Sequence, residues 1–191
     1  MLVIDVIAGR HLFSGHSCLW TSGLLLCVVT AAGCPRMVSL DYQANNPLRG
    51  QGTVGTAPFR YQASDEHRVR PHQVETDPLV KTELFLSQEI GAFFSDALRL
   101  ELSRSGYTMN DSSDRFVSGT VTRFYLDWRS GEDRSFELAA DYTVQSSERI
   151  LFSWHCSSVQ KGAPEDGILI RKGTADCMRR FIEAAQDARI L

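Results

Sequence analysis

The stretch SFELAADYTVQ, residues 135–145, alternates apolar and polar side chains from end to end. Its apolar set is Phe136, Leu138, Ala140, Tyr142 and Val144, and most residues between them are polar. Successive side chains of a strand point to opposite faces, so this pattern predicts a strand with one buried face and one face in water. Such strands are typical of antiparallel sheets.

Two flanking stretches extend this alternation into a predicted antiparallel meander. Residues 116–128 carry apolar side chains first in one phase and then in the other, with a glycine nearby, which predicts a strand with a bulge. Turns are predicted at residues 130–133 and 146–149. The third stretch repeats the pattern of the central one, and its predicted inward residues are Ile150, Phe152, Trp154 and Cys156.

Two helices are predicted, one before and one after the meander. The first spans residues 88–105, with Ser87 as its N-cap and Gly106 in the left-handed position that ends it. Its apolar stripe recurs at helical spacing and contains Ile90, Phe93, Phe94, Ala97, Leu98 and Leu102. The second helix spans residues 168–188. Its stripe contains Ala175, Met178, Phe181, Ile182 and Ala185.

The N-terminal part is less regular. Residues 37–42 and 57–61 predict two short strands, the second with Phe59 and Tyr61 on one face. The segments rich in Asn, Gly, Pro and polar residues are predicted as loops and span residues 43–55 and 62–79. The predicted fold is therefore α+β: a two-layer, mostly antiparallel sheet, built from the three-strand meander plus N-terminal strands, with both helices on one face.

Residues 24–34, LLLCVVTAAGC, form a short apolar run that leads into small residues and a cysteine. This is the pattern of a secretion signal with a small-residue cleavage site. With cysteine directly after the cut, it resembles the lipobox of bacterial lipoproteins, which implies that Cys34 carries a lipid. A permanent membrane helix and a buried core helix are the alternatives. The apolar run is short for the first, and no cap or polar face supports the second.

The signal divides the chain into a signal peptide (1–33), a tether with the first strand (34–56) and a single α+β domain (57–191). Asp5 and a single Arg10 precede the apolar run, although a signal should start short and positive. A translation start assigned too far upstream would explain this. Pro35, rather than Asp, follows the lipid-bearing cysteine, which in well-studied envelopes implies delivery to the outer membrane, facing the periplasm.

The charge of the chain limits its partners. A formal net charge of -3 argues against nucleic acid, whose binding requires a basic surface. No further apolar run reaches membrane-spanning length, so we expect attachment to the membrane through the lipid. The glycines of residues 50–55 are not followed by a helix with Lys-Ser/Thr, as a phosphate-binding loop would be. No cofactor is expected.

The five cysteines have distinct expected fates. Cys18 and Cys27 leave with the signal, and Cys34 is consumed by the lipid. Cys156 and Cys177 remain, an even pair in a compartment that oxidises thiols. Cys156 falls at the inward spacing of its strand, and Cys177 falls at the edge of the apolar stripe of its helix. Both are therefore expected in the layer between sheet and helix, which favours a disulfide. Two free buried cysteines are the alternative.

The polar clusters favour structural roles over catalysis, and we expect no enzymatic activity. Ser118 lies within a strand pattern, not in the strand-to-helix turn that presents a nucleophile. His155 adjoins Cys156, but strand neighbours point to opposite faces and cannot form a Cys–His pair. The densest polar cluster matches no metal-ligand spacing. It contains Asp65, Glu66, His67 and His72, and it is either a partner-contacting loop or a solvated one.

The order of elements resembles a known family. A lipobox is followed by the amphipathic helix 88–105, which runs into Arg-Ser-Gly-Tyr at residues 104–107, and then by a hydrophobic meander and a terminal helix. The likeness is carried by residues 90–107 and by the strands 117–128 and 136–144. This order resembles the YajG-type family of small envelope lipoproteins. The resemblance implies the fold and the compartment, and it brings no active-site motif.

Two function hypotheses follow. The first is a non-enzymatic, lipid-anchored envelope lipoprotein that binds an envelope protein or a glycan through the polar face of its sheet. The residues predicted on that face are Glu137, Asp141, Thr143, Gln145, Ser153 and His155. The second is an accessory lipoprotein of a lipid or lipopolysaccharide transport machine. A lipid-contacting groove beside the first helix, lined by Phe93, Phe94 and Phe124, would be needed for direct lipid contact.

Overall fold

The structure is a computed structural model that describes residues 35–79, 82–128, 134–147, 149–162 and 165–191. These residues belong to one unit, Gly33–Leu191. The predicted signal peptide, the lipid site at Cys34 and the predicted turn at residues 130–133 lie outside the described residues.

Nine strands and three helices lie in the described residues. The strands are β1 (Arg36–Val38), β2 (Thr53–Thr56), β3 (Arg60–Tyr61), β4 (Glu75–Thr76), β5 (Leu84–Leu86), β6 (Thr108–Met109), β7 (Arg115–Asp127), β8 (Ser135–Ser146) and β9 (Arg149–Lys161). The helices are α1 (Gln62–Asp65), α2 (Ile90–Arg104) and α3 (Asp166–Asp187).

The predicted meander is confirmed. β7 pairs with β8, and β8 with β9, both antiparallel. All five apolar residues of the central strand are buried. The predicted bulge in β7 is also confirmed: the register moves from Val121 opposite Ala140 to Arg123 opposite Ala139, which leaves Thr122 without a partner residue on β8. This extra residue explains why the apolar phase of residues 116–128 changes halfway.

The short N-terminal strands run parallel to β7 and extend the sheet beyond the meander. β2, β3 and β4 pair in succession along the edge of β7 opposite β8, and β6 pairs with β2. β1 and β5 form a separate two-stranded parallel sheet. The predicted α+β fold is thus confirmed, with an antiparallel meander and a parallel flank.

Several N-terminal predictions were wrong in detail. The segment 43–55, predicted as a loop, contains most of β2, and 62–79 contains α1 and β4. The strand predicted at 57–61 is reduced to β3, because Pro58 has no N–H to donate and interrupts the pairing along β7. These strands are two to four residues long, too short to show a period.

The prediction of Ser87 as an N-cap was wrong. α2 begins at Ile90, and its N-cap Glu89 makes no side-chain capping bond. The Ser87 N–H instead donates to the Val38 carbonyl (3.1 Å). The predicted end of the helix is confirmed, because Gly106 has φ +97°. The next N–H, that of Tyr107, donates back to the Leu102 carbonyl (3.1 Å), which closes a Schellman-type cap.

Tyr142 lies at the centre of the core between the sheet and the two long helices. Its ring stacks on Phe181 of α3, with centroids 4.4 Å apart, and contacts Phe94 of α2 at 6.2 Å. Phe59, from the segment between β2 and β3, packs on the same ring at 5.5 Å. α2, α3 and the sheet therefore share one apolar core, and both helices lie on the face of the sheet that Tyr142 occupies.

One inward residue of β9 was predicted wrongly. Ile150 is 61% exposed and lies opposite Gln145. The register shifts next to Val144, whose partner is Phe152, so that Leu151 is an extra residue on β9. The bulge turns Ile150 to the other side of the sheet, while Phe152, Trp154 and Cys156 keep the predicted inward direction.

Candidate partner-binding face

The meander carries a polar surface on the side opposite α2 and α3, which we call the outer face. It consists of the outward residues of β7, β8 and β9. By register they include Ser118, Thr120, Arg123 and Tyr125, then Glu137, Ala139, Asp141, Thr143 and Gln145, then Ser153, His155, Ser157 and Val159. Phe116 and the exposed Ile150, both opposite Gln145, lie at one end of the same side. All six residues predicted for this face lie on it.

The middle of the outer face is built from short polar side chains in adjacent cross-strand rows. Thr120, Asp141 and His155 form one row. The His155 Nδ1 lies 2.7 Å from the Asp141 Oδ1, and both side chains are more than half exposed. The neighbouring row contributes three hydroxyl groups, from Ser118, Thr143 and Ser153. The result is a surface of hydroxyls around one acid–imidazole pair.

A cluster of longer side chains, Arg123, Tyr125 and Glu137, borders these rows towards the C-terminal end of β7. The Arg123 guanidinium lies 4.0 Å from the centre of the Tyr125 ring and donates to the Glu137 carboxylate (3.1 Å). A cation over an aromatic ring with a carboxylate partner keeps a long side chain in one orientation. The cluster therefore leaves the Arg123 guanidinium partly exposed in a held orientation.

A disulfide fastens the outermost strand of the meander to α3. Cys156 of β9 and Cys177 of α3 form this bond, with their Cα atoms 5.7 Å apart, and both residues are buried. Arg180 of α3 adds a second link, since its guanidinium donates to the Ser157 carbonyl (2.7 Å) and to Asp176 (2.7 Å). These links hold the middle of β9 against α3, while backbone pairing sets the register of Ser153 and His155 with β8.

Sequence reasoning missed the contribution of β7 to the outer face. Ser118, Thr120 and Arg123 lie there, directly opposite predicted residues of β8. The signal was present, because the residues between the apolar positions of 116–128 must point outward. The bulge at Thr122 obscured it, since it interrupts the strict alternation.

The polar cluster of residues 65–72 does not converge on a single point. Asp65 forms an ion pair with Arg60 (2.9 Å), and Glu66 forms one with Arg68 (2.8 Å). The His72 ring packs against Phe85 instead of turning to these carboxylates. Among the described residues, no group of three or more His, Cys, Asp or Glu side chains is arranged to hold a metal ion.

The groove required by the lipid-contact hypothesis is filled. Phe93, Phe94 and Phe124 are all buried. Phe94 packs against Phe59 and Tyr142, and Phe124 packs against Tyr61 and Phe136. Phe93 contacts the ring of Tyr42 edge-on. These rings therefore form the core and do not line an open channel.

Several carboxylates that were not predicted as core residues are buried, and Glu75 and Glu101 are two that support the architecture. Glu75 accepts the Phe124 N–H (3.2 Å) beside the β7 bulge and pairs with Arg68. Glu101 of α2 accepts the Tyr42 hydroxyl (2.5 Å) and joins the N-terminal segment to the helix. Burial raises the pKa of Glu101, and the bond from Tyr42 opposes this effect.

Similarity to solved structures is confined to the fold. The chain is similar to protein XCC0632 from Xanthomonas campestris, described with the family DUF330, with a TM-score of 0.57 and 12% identity over 80% of this chain and 99% of that one. An uncharacterized protein matches with a TM-score of 0.51 and 14% identity over 81% of this chain and 97% of the other. At these identities the likeness supports a shared fold and nothing about activity.

No family model matches the sequence, and no curated protein matches it significantly. Within the part of the chain that the structure describes, no helix has both the length and the apolar character needed to cross a bilayer.

Proposed function

We propose that this chain is a non-enzymatic envelope lipoprotein of YajG-like type, held in the outer membrane by acyl chains on Cys34, that binds a protein or glycan partner through its outer face. The lipobox-like run before Cys34 supports the anchor. More than one acyl chain is needed for stable attachment, and bacterial lipoproteins typically carry three.

The observation that carries the binding proposal is the outer face itself. The inner side of β7 and β8 is buried under the two helices, while the middle of the other side carries short polar side chains in cross-strand rows. By ordinary strand dimensions the surface is about 40 Å long and about 15 Å wide. The resulting area of about 600 Å² is of the same order as the roughly 800 Å² that each partner contributes to a stable interface.

The flatness of the surface favours a macromolecular partner over catalysis. Small-molecule substrates are generally held in concave pockets that exclude water. Asp141 and His155 stand instead in the middle of an open sheet, more than half exposed. The neighbouring Cys156 sulfur is in a disulfide and has no thiolate to offer as a nucleophile.

Site-specific photo-crosslinking in the intact envelope tests this proposal. A benzophenone amino acid is placed at Ser153, an exposed position of the outer face on the edge strand β9, and at Leu100, an exposed position on α2, as the matched control. We expect Ser153 to give one discrete adduct with a protein, or a glycan smear that a glycan hydrolase collapses. Leu100 should give neither.

Equal crosslinking from both positions, or none from Ser153 in a chain that is present in the envelope, would contradict the proposal. Identification of the adduct as a subunit of a transport complex would assign the partner to the second hypothesis. In that case the chain would dock to the machine without contacting lipid through its core.

A further inference from the structure

The first described residues of the chain are fixed to the end of the domain near the β7–β8 connection. The Arg36 guanidinium lies 3.1 Å from the Asp166 carboxylate, and the Arg36 N–H donates to the Glu83 carbonyl (2.9 Å). Asp166 is fully buried at the start of α3. It also receives the Arg134 guanidinium and the Trp128 indole N–H, each at 3.1 Å.

This arrangement leaves little chain between the domain and residue 34. Only Pro35 separates Arg36 from Cys34, and two steps along an extended chain span at most about 7 Å. A lipid on Cys34 would therefore hold this end of the domain at the bilayer surface, because no flexible linker separates the two.

The same end of the domain has the composition of a membrane-interface surface. Arg36, Thr82, Trp128 and Arg134 line a recess of about 210 Å³. Tryptophan is enriched at the headgroup level of bilayers, and arginine pairs well with phosphate. Two strongly exposed apolar side chains lie close in sequence to lining residues of the recess: Met37, 68% exposed and next to Arg36 on β1, and Leu79, 86% exposed and three residues before Thr82.

We propose that this surface rests in the headgroup region of the membrane that holds the lipid anchor. The surface, which we call the anchor-end surface, consists of Arg36, Met37, Leu79, Thr82, Trp128 and Arg134. The inference rests on the proposed lipidation of Cys34. It adds a fixed orientation: the strands of the meander run away from the bilayer, and Ile150 lies at the far end of the sheet.

Fluorescence quenching in vesicles tests this orientation with the full chain. The protein is produced in a Gram-negative host, extracted in detergent and reconstituted in phosphatidylcholine–phosphatidylglycerol vesicles with brominated acyl chains. Trp154→Phe leaves Trp128 as the reporter after the signal is removed. The matched variant Trp128→Phe leaves Trp154, which lies opposite Tyr142 and roughly 25 Å from Trp128 by strand geometry.

We expect the emission of Trp128 to fall by about twofold or more on bromination, as for an indole at the interface, and that of Trp154 to stay nearly constant. Replacing both Met37 and Leu79 with Asp should reduce the quenching of Trp128 to the level of Trp154. Ile150→Asp, an equally exposed change at the far end, should leave it unaltered.

Intact mass separates the two ways in which this inference can fail. A chain that carries its acyl chains but shows Trp128 quenched no more than Trp154 overturns the anchor-end surface and leaves the anchor standing. A chain without acyl chains overturns the proposed anchor, and the membrane orientation with it.

Discussion

Gly119 of β7 lies where an aromatic ring of the core packs directly against the strand backbone. A Cβ at this position would lie 2.2 Å from the Asp141 carbonyl oxygen and 2.4 Å from the Phe59 ring. The glycine therefore admits an aromatic side chain against the strand backbone, directly behind the outer face. The sequence assigned the Val-Ser-Gly run at residues 117–119 a structural role, but it could not name Phe59, which is distant in sequence.

Gly119→Ala should destabilise the fold by about 1–3 kcal/mol, because the new methyl group overpacks a filled core. Urea unfolding measures the change. Ser118→Ala, one residue away on the outer face, serves as the control and should alter the free energy of unfolding by less than about 0.5 kcal/mol. Equal effects from both substitutions would contradict the packing assigned to Gly119.

Glu101 provides a test at the level of ionisation. Burial raises the pKa of this carboxyl in the folded state. A raised folded pKa means that its contribution to stability is greatest at low pH and is lost as pH rises through that pKa. The stability of the wild type relative to Glu101→Gln should therefore decrease from acid to neutral pH.

Chemical unfolding of both proteins at several pH values measures this difference. The Gln variant cannot titrate at this position, so subtraction removes the effect of all other groups. A difference that is independent of pH, or one that grows with pH, would show that Glu101 is not buried as described.

At the scale of elements, the disulfide fastens an edge strand to a helix. The bond joins residues separated by 21 positions. Closing a loop of that size should contribute about 3 kcal/mol to stability. The double variant Cys156→Ala, Cys177→Ala should lose that amount in urea unfolding. Reductant should destabilise the wild type similarly and leave the double variant unchanged.

Thiol titration checks the same bond in protein exported to the periplasm. Denatured without reductant, the processed chain should show no titratable thiol. Two reactive thiols per chain would mean that Cys156 and Cys177 are not joined.

The elements that the sequence predicted are those long enough to show a period. α2, α3 and the three long strands repeat their apolar positions several times, and their bounds were placed within a few residues. β2 to β6 are two to four residues long and carry no repeat. Their pairing depends on distant partners, such as Arg60 opposite Thr120. Local pattern cannot supply that information.

The residues of the outer face were predicted where the strands alternate regularly and were missed where a bulge interrupts the alternation. Most outward residues of β8, together with Ser153 and His155 of β9, followed from alternation. Bulges at Thr122 and Leu151 reverse the alternation locally, so Arg123 was missed and Ile150 was assigned inward. A bulge depends on the partner strand as much as on its own sequence.

At the scale of the whole molecule, the two faces of the sheet have different proposed roles: the inner face packs the core, and the outer face binds a partner. The inner face and its helices form a filled core. The outer face is open to solvent, and we propose it as the partner site. In the orientation that we propose, the N-terminal end, fixed through Arg36 and Asp166, faces the membrane.

The lipid on Cys34 is the central claim, and mass spectrometry of protein extracted from the envelope tests it most directly. After trypsin, the account predicts an N-terminal fragment Cys34-Pro35-Arg36 that begins at the cysteine and carries a diacylglycerol thioether and an amide-linked acyl chain. A fragment that continues uncut from Gly33 into an unmodified Cys34 would contradict it.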